Sequence, residues 1–122
     1  MTTYNGYEYN EFGVCLNPDK PYQFGKDHYY YFTIEVSESP KGWTYGYQWS
    51  CGTSGGGSPC SPTWKTFPCR SKAIVACARL LKKNFTGNRG QHFRAELDRI
   101  IAEESGKKPH LKQYSIFDYL ND

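Results

Sequence analysis

Apolar and polar positions along this chain alternate first with a period of two and later with a period near 3.6. In HYYYFTIEVS, residues 28–37, Tyr30, Phe32, Ile34 and Val36 alternate with Tyr29, Tyr31, Thr33 and Glu35. Alternation sends the two sets to opposite faces of a strand. WTYGYQWSC repeats the pattern, with Trp43, Tyr45, Tyr47, Trp49 and Cys51 on one face and Thr44, Gly46, Gln48 and Ser50 on the other. SESPKG between them is a turn, with Pro40 and Gly42 as breakers, and strands so joined pair antiparallel. GTSGGGSPCSP follows, too rich in glycine and proline to continue a strand or a helix, so a loop is expected. TWKTFPC reads as a short extended segment.

The period then changes. Ser71 is expected to cap the helix KAIVACARLLKKNF, whose Ile74, Cys77, Leu80 and Leu81 form one stripe. TGNRG stops it. QHFRAELDRIIAEES predicts a second helix, with Phe93, Leu97, Ile100 and Ile101 on its stripe and Gly106 at its end. Residues 1–24 carry Tyr4, Tyr7, Tyr9, Phe12, Val14 and Leu16, broken by Gly13 and NPDKP, and suggest a loose hairpin or an edge strand. KKPHLK is a basic link to the closing QYSIFDYLND. The fold class expected is α+β: an antiparallel sheet of three or four strands, two helices packed on one face, and a short C-terminal helix or tail. Residues 1–110 form one domain in this reading, and 111–122 the tail.

At 122 residues the chain can build a modest core without metal or disulfide support. Its apolar material is chiefly aromatic, with eleven tyrosines, seven phenylalanines and three tryptophans, rings that bury area while keeping polar tips. No segment approaches the roughly 20 apolar residues of a membrane span, and no basic-then-apolar leader opens the sequence. A soluble, cytoplasmic protein without a membrane partner is expected. The five cysteines, Cys15, Cys51, Cys60, Cys69 and Cys77, are odd in number and are read as free buried thiols. Cys51, Cys60 and Cys69 fall near one loop, but no C-x-x-C knuckle or paired histidines supply a zinc spacing. No metal and no cofactor is expected.

The net charge of +3 conceals an asymmetry. Six acids face three lysines up to Pro62, and twelve Lys/Arg face six acids from Thr63 onward, so the halves carry −3 and +6. A basic helical half suits nucleic acid or an acidic protein, and equally a solvated helix surface. Catalytic constellations are poor. The glycine run lacks both the Gly-Lys-Ser/Thr ending of a phosphate loop and the dinucleotide fingerprint. His28, His92 and His110 stand alone, Pro18-Asp19 has no following Glu-x-Lys, and no serine or cysteine sits in a nucleophile elbow. A binding protein, not an enzyme, is expected. Gly55, Gly56 and Gly57 are either a connector between strands or a loop that reaches a partner.

Two resemblances add to this. Gln113-Tyr114-Ser115-Ile116-Phe117 resembles the bacterial sliding-clamp-binding pentapeptide, departing from it at Tyr114. Gln113, Ile116 and Tyr119 are also similar to the eukaryotic and archaeal clamp box, with Leu120 where a second aromatic is usual. Such a peptide inserts apolar side chains into a clamp pocket while the glutamine orients it. The other reading of the segment is a helix docked on the domain's own core. Trp-x-Tyr-Gly-Tyr, Gly-Gly-Gly-Ser-Pro, then Phe67, Arg70 and Ala73-Ile74 entering a helix resembles small accessory domains of phages, plasmids and conjugative elements, over residues 43–81. The resemblance implies a mobile-DNA context and carries no activity with it.

The first expectation is thus a non-enzymatic mobile-element accessory or anti-defence protein that binds a host protein or protein–nucleic-acid complex. Gly55, Gly56, Gly57, Gln113, Ile116 and Phe117 would contact the partner. The alternative is direct nucleic-acid binding, with Tyr29 and Tyr31 as stacking platforms and Lys82, Lys83, Arg89 and Arg94 as phosphate contacts, with or without recruitment to a sliding clamp. A hydrolase with an unrecognised site comes third.

Overall fold

A computed structural model describes residues 2–25, 29–52, 54–62, 65–85 and 90–106. Its elements run β1 (Thr2–Tyr4), β2 (Tyr7–Tyr9), β3 (Asp19–Gly25), β4 (Tyr30–Ser39), β5 (Gly42–Cys51), β6 (Gly55–Ser58), α1 (Arg70–Lys82) and α2 (Gln91–Ser105). β4 and β5 are the two alternating stretches of the sequence. They pair antiparallel in unbroken register from Tyr30↔Cys51 to Ser39↔Gly42, leaving only Pro40 and Lys41 in the turn. The fold is α+β, with a four-stranded antiparallel sheet in the order β3-β4-β5-β6 and a separate β1-β2 hairpin.

The inner face of the sheet meets the helices. Phe32, Ile34 and Val36 of β4 are fully buried against Ile74, Cys77 and Leu81 of α1 and Leu97 and Ile100 of α2. Trp43, Tyr45, Tyr47, Trp49 and Cys51 pack on the same cluster as half-buried residues. α1 lies across β4 and β5, and α2 lies against α1. Helix α1 is shorter than its sequence pattern, ending at Lys82, and this turns Phe85 into the core. There Phe85 stacks on Phe93 at 4.7 Å between centroids.

Of four details, two match the sequence reading and two depart from it. The N-terminal stretch supplies both of its alternatives: a hairpin around Asn5-Gly6, both with positive φ, and the edge strand β3. The glycine run is not a loop throughout, because Gly55–Ser58 pairs with Tyr47–Ser50 as the edge strand β6. Backbone proximity explains the composition, since a Cβ on Gly57 would stand 2.8 Å from the Tyr47 carbonyl oxygen. Ser71 does not cap α1. Cys69 holds that position without a side-chain hydrogen bond, and Ser71 is the second residue of the helix. Gly106 does close α2, but in a right-handed conformation that does not use glycine's freedom. The C-terminal helix or tail, 111–122, lies outside the described residues.

The outer face is covered in part, with Glu35, Ser37, Ser39 and Thr44 buried there. Tyr9 donates its hydroxyl hydrogen to the Glu38 carbonyl at 2.7 Å and lies 2.9 Å from Ser37 Oγ, pinning the hairpin to β4. The Cys60 segment crosses beside it, over Gly46, where a side chain would block it. A Cβ on Gly46 would lie 2.6 Å from the Cys60 nitrogen.

The two faces of β4 give the first prediction. Phe32→Ala should cost about 3–5 kcal/mol through the cavity it leaves, and Tyr31→Ala, half-buried on the outer face, well under that. Urea denaturation of both variants checks it, and equal losses would contradict the one-sided core.

Candidate functional site

The side chains singled out from the sequence do not converge. Tyr29 is exposed just before β4, and its carbonyl accepts hydrogen bonds from Ser50 Oγ and the Gly52 N–H. Tyr31 sits on the outer face of the sheet, whereas Lys82, Lys83 and Arg94 belong to the helical layer on the inner face. Lys82 is paired with Asp98 at 2.6 Å. Arg94 donates from Nη1 to the Phe85 carbonyl at 2.6 Å, fastening the start of α2 to the chain leaving α1. Gly55, Gly56 and Gly57 lie in β6 and are exposed. Arg89, Gln113, Ile116 and Phe117 lie outside the described residues, so the clamp-like pentapeptide does too.

What the fold does assemble is a groove of about 760 Å³ along the outward side of α1. Its floor is apolar, made by Val75, Ala76 and Leu80 of α1 with the rings of Tyr45 and Phe67. Its rim is basic: Lys65, Lys72, Arg79 and Lys83. Residues 72, 79 and 83 are spaced by seven and four, which stacks them on one side of a helix over about 16 Å. A second hollow continues it past Arg79 and Lys83 toward Ile101. Among the described residues, Lys72, Arg79 and Lys83 have no ion-pair partner, in contrast to Lys82.

Glu104 is the acid that lines this groove, and it is already engaged. It is only 2 % exposed. It accepts a hydrogen bond from Ser71 Oγ at 3.0 Å and another from the Tyr22 hydroxyl. Helix α1 has no acidic residue in its own first turn, so α2 lends a carboxylate to the positive end of α1. Burial first, then Glu104, push the Tyr22 phenol well above its usual range, so it stays protonated as a donor.

Other chemistry is muted. Cys15, Cys60 and Cys77 are buried and Cys51 and Cys69 half-buried, all as free thiols. Burial pushes the thiols of Cys60 and Cys77 up, which holds them in the weakly nucleophilic form. Among the described residues no three His, Cys, Asp or Glu side chains are placed to hold a metal ion, and no helix is long and apolar enough to cross a membrane.

The sequence reading singled out neither Lys72 nor Arg79, although their spacing of seven and four with Lys83 is the signal that would have found them. The aromatic floor was not visible in the sequence, because Tyr45 and Phe67 meet only through a backbone bridge between Trp43 and Phe67, with N···O distances of 2.8 and 2.7 Å. Compared with known proteins, the chain matches no family model, no curated protein and no solved structure.

Glu35, opposite Gly46 on the outer face, gives a pH prediction. Burial raises its carboxyl above the ordinary 4.5, and Lys20 only partly offsets this. An acid with a raised folded value holds its proton longer in the native state, so it lowers stability as pH climbs from about 4.5 through that value. Glu35→Gln should therefore be more stable than wild type at neutral pH, with the gap closing toward pH 4. Denaturation across that range tests it, and a gap that widens on acidification would contradict the burial effect.

Proposed function

We propose that this protein is a non-enzymatic, cytoplasmic accessory protein that acts by binding a host macromolecule, and that nucleic acid is its ligand. One observation carries the reading: Lys65, Lys72, Arg79 and Lys83 rim a single groove whose described lining holds one acid, the buried Glu104, so that cations outnumber acids there four to one. A row of cations in such excess over acids, among the described residues, is an electrostatic footprint for a phosphate backbone. The ligand face proposed is the outward side of α1, in place of the Tyr29 and Tyr31 platform, and Lys83 is the phosphate contact the two readings share. The resemblance of residues 43–81 to accessory domains of mobile elements supports a setting in which small binding proteins act on DNA or on host defence.

Counterion release makes the test quantitative. Affinity for an oligonucleotide, measured by fluorescence anisotropy, should fall linearly on a log–log plot against salt. Replacing Lys72, Arg79 and Lys83 together by Ala should weaken binding and reduce the slope by about 2 for a single strand. Lys82→Ala, which removes a cation already matched by Asp98, should change the slope far less. No binding to single- or double-stranded DNA or RNA at low salt, or a triple variant with the wild-type slope, overturns the nucleic-acid reading.

A further inference from the structure

Phosphate contacts alone leave the middle of the groove unused. Between the cations lie two half-buried rings, Tyr45 and Phe67, with centroids 5.9 Å apart and planes inclined by 32°. Phe67 is fixed by its paired backbone bonds to Trp43, and Tyr45 by the β5 ladder, so the rings stand on rigid backbone. Lys65 holds its ammonium 5.6 Å over the Phe67 ring.

We propose that the groove takes single-stranded nucleic acid: a base lies over the Phe67 and Tyr45 rings while the flanking phosphates meet Lys65, Lys72, Arg79 and Lys83. This rests on the nucleic-acid reading above and names the form of the ligand. A duplex keeps its bases inside a cylinder of phosphates and has no planar face to offer a recessed aromatic floor. A single strand can turn a base into it while its backbone follows the rim. Lys65 does not obstruct this, since an exposed ammonium over a ring is held more weakly than a stacked base. Its flexible stem lets the ammonium move to a phosphate as the base enters. An acidic peptide would satisfy the rim, but it brings no planar partner for the rings.

The experiment uses the full chain and four probes at low salt: a single-stranded oligonucleotide, the same strand with abasic sites, the corresponding duplex, and poly-glutamate. The intact single strand should bind about tenfold or more tighter than the abasic strand and the duplex. Phe67→Leu, which keeps an apolar side chain but removes the ring, should lower intact-strand affinity several-fold, narrowing the gap to the abasic strand, which loses far less. Phe67→Trp should restore it. If the leucine variant fails to fold, as judged by circular dichroism, the intact-against-abasic comparison on the wild-type chain decides alone. Abasic strand or duplex bound as tightly as the intact strand overturns the stacking inference and leaves the phosphate reading standing. Binding to poly-glutamate and to no nucleic acid, or to none of the probes, overturns both.

Discussion

The ring of Phe93 lies where every layer of the fold meets. It stacks on Phe85 at 4.7 Å and meets Phe24 edge-on at 5.4 Å, and it stands 6.2 and 6.5 Å from Phe32 and Tyr30. One side chain from the first turn of α2 thus touches β3, β4 and the chain that leaves α1. Aromatic pairs at these distances each contribute about 0.5–1.5 kcal/mol beyond the area they bury. The geometric consequence matters more. α2 packs mainly on α1, and Phe93 is its principal hold on the sheet. At the far end Glu104 reaches the first turn of α1 through Ser71 and reaches β3 through Tyr22. Held at both ends, α2 fixes the roll of α1, and that roll decides which of its residues face outward.

Much of this was legible in the residues, and the exceptions share a cause. Strands β4 and β5 announce themselves by alternation because one face is buried under helices, and both helices by their stripes. The edge strand β6 does not. Glycine has no side chain from which to read a period, and its strand state comes from hydrogen bonds to β5 that no local preference encodes. Ser71 looks like a cap because serine before a helical run usually is one. Its hydroxyl is claimed instead by Glu104, 33 positions away. Glu104 itself falls in register with Phe93, Leu97 and Ile100 on the buried stripe, where a carboxylate is the least expected residue.

The candidate site was legible only as charge. Counting showed that the helical half is basic but could not show which cations are already matched. Arg99 is taken by Glu96 and Glu103 on its own helix, and Lys82 by Asp98. Arg94 is fastened to the Phe85 carbonyl. These are the positions where a charge total overstates what a ligand meets.

Lys82 and Lys83 make the same point at the scale of one residue. They are neighbours of identical chemistry, separated by about 100° around the helix. Lys82 turns toward α2 and meets Asp98; Lys83 turns onto the groove, in line with Arg79 and Lys72. Every described acid of α2 is engaged at home: Glu96 and Glu103 by Arg99, Asp98 by Lys82, and Glu104 by Ser71 and Tyr22. Among the described residues the second helix therefore pairs the cation on its own side of α1, Lys82, and pairs none of Lys72, Arg79 and Lys83 on the other. A basic stripe beside an acid-bearing helix would ordinarily neutralise itself within the fold. This one does so only in part: of the α2 acids Glu104 alone lines the groove, so among the described residues the cations there outnumber acids and the field over the aromatic floor stays positive.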